Sequence, residues 1–160
     1  MAAAKSHEDS AREILEGNRY MVLSTSDLDR SPWAAVVYYA YSSKYEFYFL
    51  SAMDSRHSEN VSANPKVSFV IFDSNQPMGR AESIQAEGTA TLMPFNEALK
   101  EAIKLYAKKQ FPDSKMDPLK RYPPSELAGT ASLRFYKIKV TEMYISGTKN
   151  RRYLLDLKLI

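Results

Sequence analysis

The residues best suited to chemistry in this chain stand at the predicted start of a polar helix. The segment runs Ser51-Ala52-Met53-Asp54-Ser55-Arg56-His57, and Asn64-Pro65 ends the helix that follows it, because a residue before proline leaves the helical region. The first turn of a helix leaves about four amide groups without partners and carries roughly half a positive charge. An anion is stabilised there, and a guanidinium such as that of Arg56 suits phosphate.

Two interpretations of this helix start remain open on spacing alone. In the first, Ser55, Arg56 and His57 supply a hydroxyl, a guanidinium and an imidazole to a phosphate, and Ser51 faces the same spot from the end of the preceding strand. In the second, Asp54 is an N-cap carboxylate that fills the site and repels phosphate. The segment is then a capped helix with solvated side chains.

The composition gives little support to other chemistries. The 160 residues contain no Cys and two His, which excludes thiol catalysis, disulfides and Cys-ligated metal and argues against a His-rich metal site or a catalytic triad. We expect no metal, and no side chain is identified as catalytic. The net charge of +3 is mild and spread along the chain, so nucleic-acid binding is not expected.

The cellular setting is also constrained by the sequence. No apolar run approaches the roughly 20 residues that cross a bilayer, and the first residues lack the apolar stretch of a secretory signal. We therefore expect a cytoplasmic protein without a membrane partner. Its length predicts one domain over residues 1–160.

The elements that must position the helix start are mostly strands. Eleven Tyr and seven Phe suit a β-rich core. Strands are predicted at residues 19–26, 32–42, 45–51, 66–72, 83–93, 131–146 and 151–160. The first three, joined by short polar turns, predict an antiparallel meander. Gly88 in the fifth indicates a β-bulge.

Two further helices complete the predicted architecture. A capping-box pattern begins one at Ser6, with a stop at Gly17, and Asn96 caps an amphipathic helix that runs to Phe111. Residues 112–129 are too rich in Pro and charge for regular structure, and they form either an ordered wrap or a mobile lid. The pattern predicts a closed or nearly closed antiparallel barrel with helices outside, because closure removes exposed strand edges.

Aromatic residues on the second and third strands are a candidate surface for a planar ligand. They are Tyr38, Tyr39, Tyr41, Tyr45, Phe47, Tyr48 and Phe49. Such residues more often form a core or an interface. Trp33, the single tryptophan, stands at a strand start, and either role is open for it.

The order of these motifs resembles that of the pyridoxamine 5′-phosphate oxidase-related flavoproteins, the FMN-binding split barrels. The resemblance runs from about Ala11 to Pro94. The family has a Ser or Thr, three residues, Ser-Arg-Lys, and then Asn-Pro-x-Val; here these points are Ser51, Ser55-Arg56-His57 and Asn64-Pro65-Lys66-Val67. The resemblance implies a mainly β (α+β) fold, an antiparallel six- to seven-stranded split β-barrel with peripheral helices. It also implies a homodimer that holds FMN in clefts between its subunits.

The resemblance assigns cofactor-binding roles to particular residues. The FMN phosphate would be bound by Ser55, Arg56 and His57, with Ser51 beside them. A strand would lie along the isoalloxazine ring with its backbone groups near the ring edge. That strand segment is Ala35, Val36, Val37 and Tyr38. Gln85 is the nearest counterpart of a glutamine that reaches the flavin ring in the family, although its offset from Gly88 differs.

The departures from the family pattern bear on the substrate. His57 replaces the usual Lys, so its charge depends on pH. Asp29-Arg30 replaces the usual Asp-Gly turn, and the carboxyl-terminal segment lacks the Arg-x-His motif of the true oxidases. We therefore expect an FMN-dependent oxidoreductase whose small-molecule substrate is not a vitamin B6 phosphate.

Three alternatives to this function share the same fold. Related split barrels bind the deazaflavin F420 or haem, and His7 and His57 are the histidines that a haem iron would have on offer. A flavin-binding protein without turnover is the third alternative. Its cofactor pocket would be the same, so the sequence does not separate it from an enzyme.

Overall fold

The computed structural model describes residues 5–79, 81–147 and 151–158. These residues form seven strands, four α-helices and one 3₁₀ turn. In chain order they are α1 (His7–Gly17), β1 (Tyr20–Ser26), β2 (Pro32–Tyr41), β3 (Glu46–Ala52), α2 (Arg56–Ala63), β4 (Lys66–Phe72), β5 (Ser83–Leu92), α3 (Glu97–Gln110), α4 (Pro118–Arg121), the 3₁₀ turn (Pro124–Leu127), β6 (Leu133–Ser146) and β7 (Arg152–Leu154).

The strands form one antiparallel sheet that closes on itself. Their order is β3-β2-β1-β4-β5-β6-β7, and β3 also pairs with β6. That last pairing runs from Glu46 opposite Lys139 to Ala52 opposite Leu133, so six strands form a barrel and β7 extends it at the edge of β6. The predicted mainly β barrel and the β1–β2–β3 meander are confirmed.

Alternation along the strands fills the barrel with apolar side chains. In β1, for example, Met21 and Leu23 are 1% and 0% exposed, whereas Val22 and Ser24 are half-buried and Tyr20 is exposed. Burying a large apolar side chain stabilises a fold by about 1.5–3 kcal/mol. Tyr39, Phe47 and Phe49 are fully buried in this interior, so these aromatic residues belong to the core and not to a ligand surface.

Helix α3 covers part of the outside of the barrel. Asn96 caps it by accepting a hydrogen bond from the Leu99 amide at 3.1 Å, as predicted. Its buried stripe consists of Leu99, Ala102, Ile103, Tyr106 and Ala107. This stripe packs against Ala40, Tyr48 and Phe135 on the outer side of β2, β3 and β6.

The segment after α3 is more regular than the sequence predicts. Helix α4 forms because Asp117 accepts a hydrogen bond from the Leu119 amide and Pro118 suits the first helical position. The 3₁₀ turn follows, and Leu127, 6% exposed, packs into the cluster beneath α3. The prediction that residues 112–129 lack regular structure was therefore wrong at these two turns, and the segment is an ordered wrap against α3.

Two details of the last strands matter below. The β5–β6 register shifts between Glu87 and Gly88, which confirms the predicted bulge. Strand β7 is shorter than predicted, because the Leu155 side chain turns into the core and is 4% exposed; residues 159 and 160 of the predicted strand lie outside the described residues. None of the helices in the described ranges has both the length and the apolar character needed to cross a membrane.

Candidate functional site

The barrel is open between the first part of β2 and the end of β3. Strand β2 pairs with β1 along Pro32–Tyr38, but it pairs with β3 only from Tyr39 to Tyr41. The Tyr39 amide donates to the Arg19 carbonyl oxygen on the β1 side at 3.2 Å. Because backbone groups alternate sides along a strand, those of Ala34 and Val36 face the opening. The register gives this strand edge no partner in the described part of the chain.

Helix α2 begins at one end of this opening. Ser55 is its N-cap, with extended backbone angles and a side-chain oxygen that accepts from the Ser58 amide at 3.4 Å. The Ser55 amide itself donates to the Ala52 carbonyl oxygen at 3.2 Å, which turns the chain sharply out of β3. The interpretation in which Asp54 caps the helix was wrong: Asp54 is exposed and stands one residue before the cap.

Helix α2 is held against the barrel by two amide side chains, one in its second turn and one at its C-cap. Asn60 donates to the Thr25 hydroxyl at 3.0 Å, and both residues are buried. Asn64 donates to the Ser26 hydroxyl, also at 3.0 Å, and ends the helix before Pro65. Sequence reasoning missed these two contacts with β1. The only local signal for them is a pair of polar residues in and after a short helix.

Three polar side chains meet at the helix start. His57 Nε2 lies 2.6 Å from Ser51 Oγ and 3.2 Å from Ser55 Oγ, and the two hydroxyl oxygens are 3.1 Å apart. Burial lowers the pKa of His57 below its ordinary value of 6.5. The imidazole is therefore neutral at pH 7 and carries one N–H, and the cluster offers neutral hydrogen-bonding groups.

The positive charge of the site comes from Arg56. Its guanidinium carbon lies 4.5 Å from the centroid of the Trp33 ring. The salt bridges of the described residues do not involve Arg56, so its charge is available to an anion. The role of Trp33, open on sequence grounds, is thus contact with Arg56.

The remaining predicted site residues fall into two groups. Val36 is 68% exposed on the outer face, Val37 is 6% exposed and points into the barrel, and Ala35 and Tyr38 are half-buried. The backbone groups of Val36 and Tyr38 face the opening, whereas those of Ala35 and Val37 face β1. The Tyr38 hydroxyl is buried and has no hydrogen-bond partner among the described residues.

Gln85 is not part of this cluster. It lies on the outer face of β5 opposite Val70, and Val70 is followed across the sheet by Val22 and Val36. Three strand spacings place Gln85 about 14 Å from Val36. Gln85 instead lines a separate cavity of about 250 Å³ with Tyr144 and Arg152 among others.

An apolar surface on the outside of the sheet is a feature that sequence reasoning missed. Tyr20, Val36 and Phe72 are 57%, 68% and 42% exposed, and Val22 and Val70 continue the row of Val36 across β1 and β4. We call these five residues the outer apolar face. Their strands carry apolar residues at both inward-facing and outward-facing positions, a pattern typical of strands that are covered on both sides. Within the described ranges, no three potential metal ligands come together.

Solved structures of known proteins share this fold. A heme binding protein from Mycobacterium smegmatis is 16% identical with a TM-score of 0.75, and the match covers 99% of this chain and 61% of that protein. HutZ, the heme storage protein of Vibrio cholerae, is 12% identical with a TM-score of 0.68, covering 96% and 99% of the two chains. A Listeria innocua protein named for pyridoxamine 5′-phosphate oxidase is 23% identical with a TM-score of 0.61, covering 88% and 98%.

These identities establish the likeness of fold alone, and this chain spans 61% of the length of the Mycobacterium protein. A comparison with curated protein sequences gives no match. The pyridoxamine 5′-phosphate oxidase family model, in contrast, matches residues 7–146, which is most of the chain and includes β1–β6 and α2. The chain therefore belongs to the pyridoxamine 5′-phosphate oxidase family.

Proposed function

We propose that this chain is an FMN-binding flavoprotein that holds the FMN phosphate at the start of α2. The observation that carries the proposal is the opening between β2 and β3, where a free strand edge and an unpaired guanidinium lie beside the same helix start. A flavin mononucleotide presents a polar ring at one end and a doubly charged phosphate at the other. Membership in the family supports FMN as the ligand.

The phosphate end is matched by the chemistry around Arg56. A guanidinium without a carboxylate partner gains from a charge-assisted hydrogen bond to phosphate, and the first-turn amides of α2 add donors and a favourable dipole. Ser51 and Ser55 supply hydroxyl groups. His57 supplies one N–H while it is neutral, and a neighbouring phosphate favours its protonation.

The ring end is matched by the edge of β2. The flavin pyrimidine ring carries an N–H donor flanked by carbonyl acceptors, and a strand edge offers the complementary C=O and N–H groups, here those of Ala34 and Val36. Bound flavin would supply the redox chemistry, and the chain its binding and orientation. We propose that the protein is an oxidoreductase of an unassigned small molecule.

We further propose a homodimer in which a second copy covers the outer apolar face. Val36 and Tyr20 are more than half exposed there, and stable interfaces bury about 800 Å² per partner with an apolar centre. Val36 links the outer apolar face to the opening between β2 and β3, because its side chain lies on this face and its backbone groups face the opening. A cofactor held by β2 would then lie next to the second subunit.

A visible spectrum tests the FMN proposal directly. Purified protein is mixed with FMN and desalted, and we expect a retained two-band flavin spectrum. Arg56→Gln should retain far less, whereas Arg12→Gln, a matched arginine paired with Asp9 on α1, should behave as the wild type. Wild-type protein that releases all added FMN would refute the proposal. Reduction of bound FMN by NADH or NADPH with turnover of an acceptor then separates an oxidoreductase from a flavin-binding protein without activity.

Haem is a second candidate ligand, favoured by one contact. His7 is exposed, so it is accessible to an iron. Its ring stacks on that of Tyr153, with 4.0 Å between the two ring centroids. His57 is less suited, because Ser51 and Ser55 already contact its Nε2. The names of two compared proteins also refer to heme. A Soret band on addition of haemin that is lost in His7→Gln and kept in His57→Gln would support this candidate.

A further inference from the structure

Trp33 lies against the guanidinium of Arg56, and we infer that it is a positioning residue that selects phosphate-bearing ligands. The inference rests on the proposed FMN site. The distance of 4.5 Å from the guanidinium carbon to the ring centroid is well inside the ~6 Å range of a cation–π contact, and tryptophan is the strongest partner for it. No other aromatic ring of the described residues lies against Arg56.

The sheet and the helix together bring these two residues into contact. Trp33 stands opposite Thr25 on β1, so the two side chains lie on the same face of the sheet. Thr25 is the residue that accepts a hydrogen bond from Asn60 of α2. The helix therefore lies over that face, with Arg56 in its first turn. The indole is 40% exposed and presents one side to Arg56.

The geometry of a stacked guanidinium explains why the contact assists binding. The guanidinium lies over the face of the Trp33 ring, whereas phosphate is bound by guanidinium N–H groups, of which Arg56 has five. Stacking therefore restricts the motion of the exposed Arg56 side chain without using the groups that bind the anion. Less side-chain freedom is lost when phosphate arrives, so affinity for the phosphate rises.

This role predicts selectivity between two flavins with the same ring. Riboflavin lacks the phosphate that FMN carries. The ratio of the riboflavin dissociation constant to the FMN dissociation constant, the phosphate increment, isolates what Arg56 and its neighbours contribute. A contact between Trp33 and the ring, or general support of the fold, would change both dissociation constants and leave the ratio unaltered.

The test measures the phosphate increment at pH 7 by ultrafiltration and absorbance of free flavin, a readout that does not depend on tryptophan. We expect Trp33→Leu to lower the increment roughly two- to tenfold, the cost of immobilising one long side chain on binding, and Trp33→Phe to keep most of it. Arg56→Gln should remove most of the increment and leave only what the hydroxyl groups and first-turn amides contribute. Trp33→Leu added to Arg56→Gln should then have no further effect, since the two residues act together.

Arg121→Gln is a matched control, because Arg121 stacks on Phe111 at 4.0 Å in the wrap and should leave the increment unchanged. Thermal unfolding of each variant checks folding. If Trp33→Leu fails to fold, Trp33→Phe still tests the proposal: because a phenyl ring also makes a cation–π contact, a loss as large as that of Arg56→Gln overturns the inference.

The outcomes separate the inference from the proposed function. No phosphate increment in the wild-type protein refutes the FMN phosphate site itself. An increment that Arg56→Gln largely removes but Trp33→Leu leaves intact overturns the inference and leaves the site standing. Equal losses of FMN and riboflavin affinity in Trp33→Leu also overturn it, because Trp33 then acts on the ring or on the fold.

Discussion

The Nε2 atom of His57 lies 2.6 Å from the hydroxyl oxygen of Ser51, which joins the first turn of α2 to the end of β3. The contact brings a titratable ring to the place where the barrel opens. Its surroundings are neutral hydroxyl groups, and burial lowers the pKa of His57. The protonation of this ring therefore couples the stability of the helix start to pH.

The first prediction concerns this pH dependence. The pKa of His57 is about 6.5 in the unfolded chain and lower in the folded protein, so between these two pKa values the unfolded chain binds more protons. The stability that neutral His57 contributes is therefore fully present above a pH of about 6.5 and is lost as the pH falls through the folded pKa. We expect the melting temperature of ligand-free protein to fall from pH 7.5 to 5, and His57→Gln to reduce that fall. His7→Gln is the control. Identical profiles for wild type and His57→Gln would contradict the prediction.

The second prediction concerns Lys109 on α3. Its Nζ donates to the Leu15 carbonyl oxygen at 2.8 Å and lies 3.7 Å from the centroid of the Tyr39 ring. Burial lowers the pKa of Lys109 to about 8, from an ordinary value of 10.5, although Glu16 opposes the shift. The unfolded chain therefore binds more protons between these values, and the stability that Lys109 contributes rises with pH in that window.

A urea-denaturation series at pH 7.5, 9 and 10 checks this. The free energy of unfolding of the wild type minus that of Lys109→Met should increase with pH. Burial raises the pKa of the nearby Tyr41 to about 12. Tyr41 is present in both proteins, so its own titration largely cancels in the difference. Lys108→Met, at the exposed neighbouring position, is the matched control. A pH-independent difference for Lys109→Met would rule the prediction out.

The third prediction concerns Gly88 at the β5 bulge. A Cβ added there would lie 2.3 Å from the Lys139 carbonyl oxygen, a backbone atom that cannot rotate away. Gly88→Ala should therefore destabilise the protein by about 1–3 kcal/mol, as overpacking of a core does. Gly17→Ala meets no atom within 4 Å and should be neutral or slightly stabilising. Equal unfolding free energies for the two variants would show that the bulge adapts without cost.

The fourth prediction concerns the outer apolar face. Val36→Glu puts a charge at its most exposed position, and burying that charge in an interface without a partner is costly. We expect wild-type protein to sediment as a dimer at micromolar concentration and Val36→Glu as a monomer with weakened FMN binding. Met116→Glu, on an exposed apolar residue of the wrap, should remain dimeric. A monomeric wild type would refute the proposed dimer, while FMN binding by that monomer would leave the cofactor proposal intact.

The sequence alone predicts the elements well, because their signals are local. Alternation in Met21 and Leu23 marks β1, the helical stripe that begins at Leu99 marks α3, and Gly88 marks the bulge. The grouping of Ser51, Ser55 and His57 also follows from a short segment, since a strand end and the next helix start are necessarily close. Local patterns such as these depend on a few neighbouring residues.

Only the tertiary structure decides the features that depend on residues far apart in the chain. The opening beside Val36 exists because β3 separates from β2 after Phe49 while its other edge stays paired with β6 as far as Ala52, a choice of register that no local pattern encodes. The contact of Arg56 with Trp33 requires α2 to lie over β1 and β2. Gln85 lies three strands from Val36 because long-range pairing sets the order of the strands in the sheet. Periodicity determines which face of a strand is apolar, but long-range pairing and packing determine which strands meet and which edge stays free.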